Sequence, residues 1–303
     1  MTVDNLDFSK SEDITEFVGE CEQKYTSDVQ KACALCIDSG RIITLCGPTC
    51  SGKTTTALIL DDEFKARGKE LHTISIDDFY FDCDKLAEMS RKSGTPLDYD
   101  SPSTIDIEFF SKVVKQIENG DTVTLPKFDF KKGCRIGTED ISIKDDDIFL
   151  FEGIQAVYPS LTEHLKGHAY TSLFISVENG FDAFGVTLSP RELRFCRRLV
   201  RDARTRGASA EFTFSLWESV AANEDKNIYP NLKNVDFKIN SMLSYEPYVI
   251  KPFLIPLLEG LSKDSIYKDE ANALIKRVQS LPTIDQRFVP ENSVFREFIG
   301  ERT

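Results

Sequence analysis

Short apolar runs alternate along this chain with longer stretches whose apolar residues recur at helical spacing, and that alternation predicts a parallel α/β sheet flanked by helices. Residues 41–46, 71–76, 148–151 and 172–177 are dense enough in Ile, Leu, Phe and Val to read as buried strands, and 235–239 as a shorter one. Helical spacing covers 54–65, 103–119, 189–204, 209–224, 246–260 and 268–281. Ser103 with Asp106 three residues on resembles a capping box, Asn119-Gly120 closes that helix, and Ser189-Pro190 opens another. Residues 122–130 and 141–144 alternate on either side of a polar Lys131-Lys132-Gly133-Cys134-Arg135 turn, which predicts a β-hairpin projecting from the core. Residues 82–102, with Gly94, Pro96 and Pro102, read as a loop holding a short helix, and Asp145 to Asp147 as a solvated charge run. Three units are expected: an acidic helical N-terminal extension over 1–40, stopped by Gly40, a core domain over 41–260, and a helical extension with a polar tail over 261–303.

Between the first strand and the helix behind it stands Gly47-Pro-Thr-Cys-Ser-Gly-Lys-Thr54, which fits the phosphate-loop pattern of Gly, any four residues, Gly-Lys and Ser or Thr. The glycines let successive backbone N–H groups turn inward around a phosphate, and the helix N-terminus adds its positive end. Lys53 can reach the terminal phosphates and the Thr54 hydroxyl can ligate Mg²⁺. Gly47, Thr49, Cys50, Ser51, Gly52 and Thr55 complete the expected nucleotide-binding set.

Composition narrows the partners. With 303 residues, 41% of them hydrophobic, the chain can build a sizeable core in one or two domains. A net charge of −13 and a pI near 4.9 argue against nucleic acid or an anionic membrane as main partner. No apolar run approaches the ~18 residues of a membrane span, and the acidic N-terminus lacks the apolar centre of a secretory signal. The eight cysteines (21, 33, 36, 46, 50, 83, 134 and 196) are scattered, which argues against a disulfide framework and for a reducing cytoplasm. Cys33 and Cys36 form a CxxC without a second pair, so thiols on a helix are expected rather than a metal site. Cys50 reads as a small residue filling a variable loop position. His72, His164 and His168 form no ligand cluster, and structural roles are expected for them.

Carboxylates distinguish a kinase from other phosphate-loop proteins. Asp77 and Asp78 end the second strand and Glu152 ends the next buried one, which places all three at the strand ends where open α/β sheets hold ligands. Phosphoryl transfer needs one acid for Mg²⁺, a role expected of Glu152, and one to orient or deprotonate the attacking hydroxyl, expected of Asp77. Arg194, Arg198 and Arg201 recur at i, i+4, i+7 on one helix face, with Arg204 and Arg206 following. Such a cationic face in an acidic chain suits the phosphoryl group in transit. Guanine-recognition Asn-Lys-x-Asp and Asp-x-x-Gly signatures are missing, and a small-molecule kinase remains.

The ordered motifs resemble the uridine kinase and phosphoribulokinase-like branch of P-loop kinases: the phosphate loop, IDDFY (76–80), LDYDSP (97–102), LPKFDF (125–130), FEG (151–153), RRLVRDARTRG (197–207) and Tyr245-Glu246. The likeness spans roughly residues 41–260. It implies a P-loop three-layer α/β sandwich with a projecting hairpin and an Arg-rich lid helix, ATP and Mg²⁺ as cofactors, and phosphorylation of the 5′-hydroxyl of a nucleoside, as in pyrimidine salvage. It further implies Asp77 as the catalytic acid beside the 5′-hydroxyl, with Lys53 and Arg206 in the catalytic set and Arg201 on ATP. Asp100 would bind the ribose hydroxyls, with Tyr80 and Arg198 beside the substrate. Related kinases often self-associate, which makes a homo-oligomer an expectation by analogy. Where pyrimidine-reading kinases of this kind carry a tyrosine and a histidine on the hairpin, this chain has Phe128 and Gly133. Phe128 can stack on a base without donating a hydrogen bond, and Lys131, Lys132 or Arg135 would have to read it. A kinase of another small alcohol, such as a sugar phosphate or a pantothenate-like acid, is the alternative, because that basic cluster suits an anionic acceptor. A regulator that binds nucleotide without turnover is the other, and the intact Lys53, Thr54, Asp77 and lid arginines argue against it.

Overall fold

The computed structural model describes residues 6–94, 97–120 and 122–300; Pro96, expected in a polar loop, lies outside them. In chain order the elements are α1 (Ser11–Ile37), β1 (Ile42–Cys46), α2 (Lys53–Lys65), β2 (Glu70–Ser75), α3 (Cys83–Ser93), α4 (Ile107–Asn119), β3 (Thr122–Asp129), β4 (Cys134–Ser142) and β5 (Asp147–Glu152). They continue with α5 (Pro159–Thr162), β6 (Tyr170–Ser176), β7 (Phe181–Ala183), β8 (Val186–Leu188), α6 (Pro190–Arg206), α7 (Ala210–Asn223), β9 (Phe237–Asn240), α8 (Glu246–Glu259), α9 (Lys268–Val278) and α10 (Arg296–Ile299).

Five strands form one parallel sheet in the order β2-β5-β1-β6-β9. Successive side chains on a strand point to opposite faces, and here both faces are covered. Ile43, Leu45, Ile148 and Leu150 join the core shared with α1, α2, α6 and α8, whereas Ile42, Cys46, Phe149 and Phe151 join the core under α4. Two-sided burial explains why these strands read as continuous apolar runs. Leu45 and Ser75 both lie opposite Glu152, so β1, β2 and β5 end on one edge, and that edge positions the site.

Local chemistry shifts several boundaries. Ser101 caps a short 3₁₀ turn at Pro102–Thr104, so the following helix starts at Ile107 and not at Ser103; Asp106 is its N-cap, accepting from the Phe109 N–H at 3.1 Å. Asp147 is not part of a solvated run: it is 2% exposed, begins β5, accepts from the Lys144 N–H at 2.9 Å and lies 3.2 Å from His72 Nε2. The second hairpin strand starts at Cys134, well before residue 141, because its mostly exposed residues carry no apolar period. The β7–β8 hairpin was not anticipated. Its strands are too short for periodicity, and its turn takes positive φ at Phe184 (53°) and Gly185 (70°), the hand that hairpins favour.

The ends of the chain pack onto the same core as the sheet. Helix α1 buries Ile14, Phe17, Val18, Tyr25, Val29, Ala32, Cys33 and Cys36 against α2, β6 and β9. Residues 282–300, expected as a polar tail, bury Ile284, Val289, Val294, Phe295, Phe298 and Ile299. These apolar residues sit in turns and short helices, so no period announces them. The Arg296 guanidinium binds this segment together by donating to the carbonyls of Gln286, Val289, Pro290 and Gly300. Phe295→Ala should therefore lower the unfolding free energy by about 3–5 kcal/mol in urea denaturation; a loss under ~1 kcal/mol, the range of surface positions, would contradict a core role for this segment.

Candidate active site

The loop from Gly47 to Thr54 leaves the end of β1 and enters α2. Close packing dictates its glycines: a Cβ on Gly47 would stand 2.4 Å from Ile175 O, and one on Gly52, at φ +94°, would stand 2.4 Å from Val294 Cγ2. Cys50 is 3% exposed at φ 56°, and burial raises its thiol above the usual range, so it fills the loop rather than presenting a reactive sulfur. Lys53 Nζ donates to Gly47 O at 2.9 Å, which holds the ammonium over the loop.

Two buried arginines hold the loop from behind. Arg194, 1% exposed, pairs in bidentate fashion with Glu224 (2.7 Å for each bond) and donates to Thr49 O at 3.0 Å. Arg197, fully buried, pairs with Glu246 and donates to Cys50 O at 3.0 Å and to Ser241. Pulling these carbonyls outward favours N–H groups turned into the cleft. Arg194 is therefore a strut under the loop and not part of a free cationic face, because Glu224 on the turn after α7 occupies its guanidinium. Arg198, Arg201 and Arg206 do face the cleft, all leaning on Asp202: Arg198 at 3.3 Å, Arg201 at 2.9 Å and Arg206 at 3.7 Å.

Thr49, Cys50, Ser51, Gly52, Lys53, Thr54, Asp77, Asp100, Glu152, Arg198, Arg201 and Arg206 line one cleft of about 550 Å³. Gly47 is not among the lining residues, and Thr55 borders the cleft through a bond to Glu297. Tyr80, Phe128 and Arg135 do not line it. The Tyr80 hydroxyl donates to Asp77 Oδ1 at 2.8 Å, so Tyr80 positions the acid from behind. Phe128 is 8% exposed and packs edge-on against Tyr80, with ring centres 5.3 Å apart; its N–H donates to Asp78 Oδ1. The Arg135 guanidinium pairs with Asp106 at 3.2 Å and donates to Tyr80 O at 2.9 Å, which staples the hairpin to the core and removes Arg135 as a ready reader of a ligand.

Sequence reasoning missed Gln155, Asn223, Glu224 and Glu297. Gln155 Nε2 donates to Asp77 Oδ1 at 3.0 Å and to the Tyr80 hydroxyl at 3.2 Å; Asn223 and Glu297 line the cleft. None sits in a recognised spacing.

Burial dominates the electrostatics. It raises the Asp100 carboxyl to about 6, with Asp98 and Asp77 adding to the rise and Arg198 and Lys53 opposing it. It also raises Glu152, against the pull of Lys53. Glu152 Oε2 is buried with no hydrogen-bond partner among the described residues, and Glu152 lines the same cleft as Thr54. A carboxylate and a hydroxyl are oxygen ligands that suit a hard cation, so these two residues fit Mg²⁺. Among the described residues no three or more His, Cys, Asp or Glu side chains cluster as a metal site, and Cys33 and Cys36 lie buried on α1. No described helix is long and apolar enough to cross a membrane.

A parallel sheet with a phosphate loop after its middle strand, facing carboxylates and an arginine-bearing helix, defines a P-loop phosphotransferase. The family model described as "Phosphoribulokinase / Uridine kinase family" matches residues 42–246, and the chain belongs to that family. Uridine-cytidine kinase B of Dictyostelium discoideum is 28% identical over 64% of this chain and 72% of its own length. A uridine kinase of Ureaplasma urealyticum is 26% identical over 65% of this chain and 86% of its own length. The structure of a possible uridine kinase from Bacillus stearothermophilus is 15% identical, with a TM-score of 0.45 over 72% of this chain and 98% of that one.

The role expected of Asp100, accepting the acceptor's hydroxyls as a carboxylate, predicts that acceptor phosphorylation at limiting acceptor falls as the pH drops through about 6. Asp100→Asn should lack that acid limb, whereas the same limb in both proteins would assign it to another group.

Proposed function

We propose that the protein transfers the γ-phosphoryl group of ATP to the 5′-hydroxyl of a nucleoside. The observation that carries this reading is Asp77. Its Oδ1 is held by Tyr80 and Gln155, and the carboxylate lines the same cleft as Lys53 and the phosphate loop. A base fixed on one oxygen can take the acceptor's proton through the other while that acceptor oxygen attacks the γ-phosphorus and ADP departs. Lys53, Arg201 and Arg206 would neutralise the triphosphate, and Arg198 would stand between it and the acceptor. Thr54 and Glu152 would hold Mg²⁺, which supplies charge neutralisation at the phosphate oxygens when bound. Asp100 would accept from the ribose hydroxyls. Family membership and the two nucleoside kinase relatives support the class of acceptor.

The hairpin tip favours a second reading. Phe128 is buried and Gly133 has no side chain, while Lys131 and Lys132 are exposed there. Two exposed cations, Lys132 lying 3.7 Å from Asp129, suit an anionic alcohol, such as a sugar phosphate, better than an uncharged pyrimidine. The free thiols, most of them buried, fit a reducing cytoplasm.

A phosphorylation panel with ATP and Mg²⁺ separates these readings. Uridine, cytidine or a purine nucleoside should be consumed; turnover of ribulose 5-phosphate or pantothenate with every nucleoside untouched would replace the first reading by the second. Asp77→Asn should keep ATP affinity, measured by calorimetry, and lose turnover by a factor of ~10² or more. Turnover within a few-fold of the parent would remove Asp77 from the proton-transfer step.

A further inference from the structure

Beyond the stretch matched by the family model, the chain brings one more carboxylate to the cleft. Glu297 on α10 lines it together with Lys53, Thr54 and Arg201, and its Oε2 accepts from Thr55 Oγ1 at 3.1 Å. Its carrier is firmly built. Val294 presses on Gly52, Ser293 Oγ lies 3.1 Å from the Tyr245 hydroxyl, and the Arg197 guanidinium lies 4.6 Å from the ring centre of Phe298.

The chemistry of a carboxylate restricts what it can meet there. Lys53 and Thr54 mark the β- and γ-phosphates and the metal side of a phosphate loop, and the acids assigned to the acceptor, Asp77 and Asp100, lie with them in the cleft. On the donor-site reading, Thr55, one residue further into α2, falls beside the phosphates nearer the nucleoside. An ionised carboxylate only accepts hydrogen bonds, and so do phosphate oxygens; with the metal assigned to Thr54 and Glu152, Glu297 has no hydrogen bond to offer the phosphates. The next donors along a ribonucleotide, beyond the α-phosphate, are the ribose hydroxyls. We propose that Glu297 accepts hydrogen bonds from the 2′- and 3′-hydroxyls of the donor nucleotide, so that the C-terminal segment selects ribonucleotides over deoxyribonucleotides as phosphoryl donors. The inference rests on reading the phosphate loop as the donor site.

Equilibrium binding of Mg²⁺ with ADP, 2′-deoxyADP or 3′-deoxyADP tests it without any acceptor. The parent should prefer ADP over at least one deoxy analogue by about tenfold, the size of a hydrogen bond to a charged group. Glu297→Ala should weaken ADP by about that factor and leave that analogue unchanged, so the preference collapses. Glu297→Gln keeps the size and an acceptor for Thr55, guards against misfolding, and should show an intermediate preference with an unchanged melting temperature. An undiminished preference in both variants, an equal loss for all three ligands, or tighter ADP binding by Glu297→Ala would each overturn the proposal. Failure of the parent to bind any of the three would instead remove the donor-site reading beneath it.

Discussion

Two buried ion pairs organise this molecule. Arg194–Glu224 and Arg197–Glu246 lie almost wholly out of solvent, and each guanidinium has a spare N–H directed at a carbonyl of the phosphate loop. Burying such charges costs much of what their attraction returns, so the pairs are weak evidence for stability as such. Their value lies in position. With Thr49 O and Cys50 O held behind the loop, the Gly47 and Gly52 backbones can pack where no side chain fits, and the helix N-terminus behind Lys53 stays open to an anion.

The same pairs connect the site to the rest of the chain. Glu246 opens α8, Glu224 ends the run from α7, and Phe298 covers the Arg197 guanidinium from the C-terminal segment. From the other end of the chain, the Tyr25 hydroxyl of α1 lies 2.7 Å from Thr56 Oγ1, and Glu22 accepts from Tyr245 at 2.5 Å. Segments on both sides of the 42–246 stretch thus brace the loop from outside it.

The fold was legible where burial is periodic. The sheet strands are buried on both faces and show as apolar runs, and the phosphate loop shows as a fixed spacing of residues that its chemistry requires. The cleft was legible for the same reason: Lys53, Thr54, Asp77, Asp100, Glu152, Arg198, Arg201 and Arg206 line it together. Arg194 was misread because helical spacing reports which residues share a face, not what that face meets. Arg135 and Phe128 were assigned to a ligand because a sequence does not show that Asp106 and Tyr80 already occupy them. Residues 282–300 were read as polar because aperiodic turns can bury Val294, Phe295 and Phe298 without leaving any pattern.

Whether the buried pairs exist to shape a nucleotide site is tested most directly by titrating Mg²⁺-ATP into the double variant Arg194→Met with Glu224→Leu. Removing both partners leaves no uncompensated charge, so the melting temperature should stay near that of the parent. The account predicts that ATP affinity nonetheless falls by about tenfold or more, since Thr49 O loses its anchor. Parental affinity in a well-folded double variant would contradict it.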